Sequence, residues 1–280
     1  MAARSGPEIG ESLREYGRGL AGGLIFSLPL LYTMEVWWAG FIAHPARLLL
    51  YVVVIFLLLL GYNRYAGMRH DATWLEVAID SVEELGLGIV TSALTLYAIG
   101  RIGRHTTLDE AMGTILVEGG LVAIGFSVGT AQLGAGGQED EGMGGRQQRV
   151  RFAGQLVITF CGAVLFAANV APTEEILVIA VETAPERLLL LAAASLALSA
   201  LILYFSDFAR ADRFAQAESK RQALAGTVIT YAIALVASAG ILWFFGRFDG
   251  QSAAVMIAET VVLGFPASLG GSAGRLLLQS

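Results

Sequence analysis

Apolar residues run from Leu48 to Gly61 and again from Leu188 to Tyr204, and each run ends in a break that carries an arginine or a carboxylate. Runs of this length match the ~20 apolar residues that a helix needs to cross a hydrocarbon core about 30 Å thick. With 55% hydrophobic and only 15% charged residues, the chain lacks the polar surface that a water-soluble fold of this size requires. Two-residue alternation is absent, which argues against an outer-membrane barrel. The sequence therefore predicts an all-α, polytopic membrane protein.

Eight transmembrane helices are expected, over 20–43, 46–66, 82–102, 110–133, 152–183, 187–206, 224–246 and 252–274. Residues 1–19 form an N-terminal segment of mixed charge. The first apolar stretch carries Glu35 in its middle, unlike a cleavable signal, and is read as retained. Residues 134–150, rich in glycine and including the acidic run Glu139, Asp140 and Glu141, read as a polar linker. It separates a first four-helix repeat (20–133) from a second (151–280). Thirteen of the 18 arginines and lysines fall on the side of the termini and five on the other. The positive-inside rule then puts both termini in the cytoplasm.

The halves align without a gap. A shift of 140 positions lays Gly22 on Gly162, Phe26 on Phe166, Thr33 on Thr173, Glu35 on Glu175, Pro45 on Pro185 and Arg47 on Arg187. A shift of 141 lays Glu118 on Glu259, Ser127 on Ser268 and Gly129 on Gly270. An even number of helices per half makes the repeat parallel, two four-helix bundles about an axis along the membrane normal.

Net charge of −6 with a single lysine gives no basic stripe for phosphates, so no nucleic-acid partner is expected. The one cysteine, Cys161, lies in an apolar run and reads as core. No phosphate loop, metalloprotease motif or Ser/His nucleophile pair is present, and the chain is not read as an enzyme. Glu76, Asp80, Glu83 and Glu84 read as a solvated stripe, with pairing to Arg213, Lys220 and Arg221 across the halves as the alternative.

The carboxylates inside the apolar segments carry the chemistry. If each helix is straight, Glu35 and Glu175 lie on the order of 12 Å below the outer surface, and Glu118 and Glu259, entering from the other direction, roughly 10 to 14 Å below it. A charged carboxylate there costs roughly 3 kcal/mol, and no arginine or lysine lies in the same segments. Protons or a bound cation are the expected neutralisers; protonated helix glue is the alternative. Pro29 and Pro172 delete amide donors and free carbonyls nearby, while Thr33, Thr173 and Glu174 add oxygen. A site of Glu35, Glu175, Glu118, Glu259, Thr33, Thr173 and Glu174 suits a hard cation such as Ca²⁺ or Na⁺.

The segments Leu31 to Trp38 (LYTMEVWW) and Asn169 to Ile179 (NVAPTEEILVI), with the overall layout, resemble a small bacterial family of integral membrane proteins to which no activity is assigned. The resemblance implies membership and location. The stretch from Pro172 to Glu175 is also distantly similar to the acidic repeats of cation and calcium exchangers, which implies a glutamate-lined cation site between two halves. Those exchangers use inverted halves.

Together these features predict a secondary transporter or exchanger of a small cation, coupled to protons, embedded in the lipid bilayer. A cation channel with a glutamate ring and a non-transporting sensor or assembly subunit are the alternatives. A homo-oligomer is compatible with all three.

Overall fold

The computed structural model describes residues 9–66, 73–134, 152–208 and 217–277. Apart from Gly134, the expected linker lies outside them. Every element among the described residues is helical: α1 (Ile9–Leu31), α2 (Met34–Ile42), α3 (Pro45–Ala66), α4 (Trp74–Ala98), α5 (Leu108–Gly134), α6 (Phe152–Ala168), α7 (Glu175–Glu182), α8 (Pro185–Phe208), α9 (Ala217–Phe244) and α10 (Ala253–Leu277). Five of them, α3, α5, α8, α9 and α10, are long and apolar enough to cross a membrane, and the bent pair α1–α2 makes a sixth if counted as one span. The 17-residue α6, and α4 with four carboxylates in its first three turns, fall outside that set.

Two segments expected as single helices are each broken. Residues 20–43 form the end of α1 and all of α2, which meet at 85°. The break follows Pro29, whose ring cannot donate to the preceding turn, and passes through Thr33 in an extended conformation (φ −99°, ψ 114°). Residues 152–183 form α6 and α7, interrupted over Asn169 to Glu174 around Pro172. Among the described residues the helices therefore number ten, where eight were expected.

The packing has two centres. α5 packs against α1, α2, α3 and α4, while α10 packs against α6, α7, α8 and α9. Every residue of α5 from Val117 to Thr130 is buried. Small residues allow this crowding, since missing side chains let helix backbones meet. A Cβ on Gly129 would lie 2.6 Å from the Cα of Gly22 on α1, and one on Gly270 of α10 would fall on the carbonyl of Gly162 on α6.

The ends of α4 and α9 are built alike. Gly100 and Gly246 take φ of +74° and +71°, the left-handed conformation that glycine reaches without strain. The following amides turn back onto the helix, Arg101 N donating to Leu96 O at 2.8 Å and Arg247 N to Leu242 O at 2.9 Å. Around the two centres the groups join where α3 packs on α6. There the Tyr51 ring stacks on Phe244 at 4.5 Å, and Arg47 lies over Trp243 and pairs with Asp249 at 3.3 Å.

Candidate functional site

Glu118 and Glu259 lie on the two central helices, α5 and α10. Both have no accessible surface, and among the described residues neither oxygen of either carboxyl has a hydrogen-bond partner. Buried polar side chains are nearly always bonded, so two wholly unsatisfied carboxyls are exceptional. Their surroundings differ. Tyr51 lies within electrostatic reach of Glu118, but its hydroxyl donates to the neighbouring carbonyl of Val117 at 2.7 Å. Glu259 lies within electrostatic reach of Arg247, as does Glu175. The sequence reading excluded cations from these segments and so missed Arg247, which enters from the loop after α9.

Glu35 and Glu175 sit elsewhere in the architecture. Each lies in the first turn of a short helix after a break, α2 and α7, where a carboxylate complements the helix dipole. Glu35 is half-buried, and Glu174 and Glu175 are exposed. The depth expected for Glu35 assumed a straight helix, and the 85° bend removes that premise. Among the described residues no three His, Cys, Asp or Glu side chains come together as a metal site. The four glutamates therefore do not form the single cage that equal depth suggested.

The threonines close the breaks. Thr33 Oγ1 donates to Pro29 O at 2.5 Å, and Thr173 Oγ1 donates to Val170 O at 2.9 Å. Carbonyls near the first break are taken up in the same way, Leu31 O by the Trp37 indole at 3.2 Å and Phe26 O by Asn169 Nδ2 at 3.1 Å. These backbone oxygens beside the breaks accept protein donors. Trp37 in turn lies under Arg101, 4.2 Å from the guanidinium, so α2 is held against the loop between α4 and α5.

A second polar feature joins α3, α4 and α5. Asn63 Nδ2 donates to Glu84 Oε2 at 2.7 Å and to Ser81 Oγ at 3.1 Å, while Ser127 Oγ donates to Asn63 Oδ1 at 2.8 Å. Neighbouring carboxylates are also engaged, Glu83 with the Tyr16 hydroxyl and Glu76 in the capping box of Thr73. The acidic run is thus more than a bare solvated stripe. Arg213 lies outside the described residues, and the side chains of Lys220 and Arg221 are not among those described. Asn63, an amide near the end of an apolar helix, was the residue to notice.

A family model described as "Putative integral membrane protein (DUF2391)" matches residues 15–278. The chain belongs to this family. The match covers all ten helices but for the first turns of α1, so the membrane assignment of this DUF2391 protein extends over both packing centres. No curated protein and no solved structure matches it.

Proposed function

We propose that this DUF2391 protein is a proton-coupled secondary transporter, a tandem parallel repeat of two four-helix units in the bacterial inner membrane with both termini in the cytoplasm. Each broken pair, α1–α2 and α6–α7, counts as one crossing, which with α4 makes eight. The repeat is supported by contacts that recur in register. Gly22 meets Gly129 as Gly162 meets Gly270, at shifts of 140 and 141. The capping glycines Gly100 and Gly246, and the buried pairs Leu96 and Leu242, Ser92 and Ser238, follow at a shift of 146.

The single observation that carries the transport reading is the pair of unpartnered, fully buried carboxyls, Glu118 and Glu259, at matching positions of the two units. A charge at such a site costs several kcal/mol unless something positive arrives. A hard divalent cation wants roughly six to eight oxygens, whereas among the described residues no acidic cluster is assembled around either glutamate. A proton needs one carboxyl. The reading is tested by reconstituting the full chain in liposomes and following internal pH after an external acid pulse. Flux should be lost in Glu118→Gln and in Glu259→Gln; wild-type flux in both variants would count decisively against it.

A further inference from the structure

Within one chain the two units meet through unlike faces. α3 of the first unit packs on α6 of the second, with its Tyr51 reaching Phe244 on α9. The Sγ of Cys161 on α6 donates to Leu58 O at 3.8 Å, and a Cβ on Gly61 would come 2.6 Å from Val157 Cγ1. On the repeat reading above, on which this inference rests, the counterpart of α3 is α8, and the counterparts of α6 and α9 are α1 and α4. α8 does not pack on α1 or α4. One copy of each face is thus covered inside the chain and the other is left over.

The leftover faces are open where their counterparts are closed. Leu165 on α6 is 3% exposed and its counterpart Ile25 on α1 is 67% exposed. Cys161 and Phe244 are buried, while their counterparts Ala21 and Ala98 are exposed. On α8, Arg187 and Leu201, the counterparts of Arg47 and Gly61, are exposed in the same way.

Complementarity across the leftover faces is also kept, with the volumes exchanged. Inside the chain the small residue is on α3 and the large one on α6, Gly61 against Val157. The leftover counterparts are Leu201 on α8 and Gly17 on α1, where an added Cβ would meet nothing within 4 Å. Arg47 lies over the Trp243 ring; Arg187 would face Tyr97, whose ring is 70% exposed and offers the same cation–π surface.

We propose that a second copy of this chain covers these faces, α8 of each protomer docking on α1 and α4 of its partner. A head-to-tail contact closes into a ring or runs on as an open array. Two chains with two such contacts make a closed ring of four units. Lipid tails are the competing cover for the same apolar surface.

The test is disulfide trapping of the full-length chain in native membranes, in a Cys161→Ser background. Gly17→Cys with Leu201→Cys should give a covalent dimer on mild oxidation, and neither substitution alone should. Gly61→Cys with Val157→Cys, the corresponding junction inside one chain, should close as an intramolecular bond. A closed internal bond with no intermolecular one, or a dimer trapped by either single cysteine, would overturn the proposal and leave the repeat standing. Failure of the internal bond would instead remove the repeat packing on which the proposal rests. A monomer mass in lipid nanodiscs would overturn the dimer directly.

Discussion

Replacing Glu118 with methionine separates a carboxyl kept for proton chemistry from one kept to hold helices together. Methionine is unbranched, adapts to irregular space and carries no group that requires a hydrogen bond. In the native protein both oxygens of Glu118 are buried without a partner, and leaving a buried polar group unsatisfied costs about 1–3 kcal/mol. Imperfect repacking in the tightly filled centre of α5 takes back up to roughly 1 kcal/mol. The net expectation is a gain of up to about 3 kcal/mol, centred on about 1–2 kcal/mol, and about 1.4 kcal/mol is a tenfold shift in the unfolding constant. SDS-titrated unfolding in mixed micelles, read by tryptophan fluorescence, measures this directly, and proton flux is followed on the same preparation. Glu118→Met should unfold at a higher SDS fraction than wild type and move no protons. Loss of about 1 kcal/mol or more would mean that the carboxyl makes a stabilising bond, and the argument for a carboxyl held at a thermodynamic disadvantage would be refuted.

Glu259→Met should stabilise less than Glu118→Met in the same titration, because it leaves Arg247 with one acidic neighbour fewer. Asn63→Leu should destabilise by about 1–3 kcal/mol, since Glu84 and Ser127 lose their shared partner. Adding Glu84→Thr, which brings in the second unit's residues at both positions (Leu203 and Thr230), should recover part of that loss on chemical unfolding. Gly129→Ala should cost about 1–3 kcal/mol through overpacking against Gly22; Gly86→Ala, whose Cβ would meet nothing within 4 Å, should stay near wild type in thermal unfolding. Asp249→Asn, which breaks an exposed ion pair with Arg47, should change stability by under about 1 kcal/mol, and less in high salt.

The helical membrane class was readable because long apolar runs have few other solutions, and helix boundaries followed from Pro45, Pro185 and the glycine-rich breaks. The breaks themselves were half readable. Pro29 and Pro172 marked where the ladder is interrupted, but a proline is compatible with a mild kink as well as an 85° turn, and the choice depends on what receives the freed groups. Here Thr33, Trp37 and Asn169 receive them, and none of those pairings is fixed by spacing alone. The same limit explains the site. Depth counted along a straight helix put four glutamates at one level, yet which way each side chain faces is decided by helix rotation and packing. Glu118 turns inward because α5 is buried on nearly every side, and Glu259 because it lies on the face of α10 that packs on its neighbours, while Ile257 on another face stays exposed. Glu35 and Glu175 belong to short helices at the edge, where only one face can be buried.

On the proposed repeat, what agrees and what differs between the units bears on which residues the function constrains. The shared features are mostly frame: the glycine contact between first and last helix, the glycine that ends the third, and the broken first crossing. The polar interior has diverged, with Asn63 and Glu84 on one side against Leu203 and Thr230 on the other, and with Arg101 engaged by Trp37 while Arg247 lies near two carboxylates. A residue kept only to satisfy its neighbours would have changed along with them. Glu118 and Glu259 have different neighbours, find no partner among the described residues in either setting, and are the same residue; on the proposed reading, proton exchange accounts for that combination where packing does not.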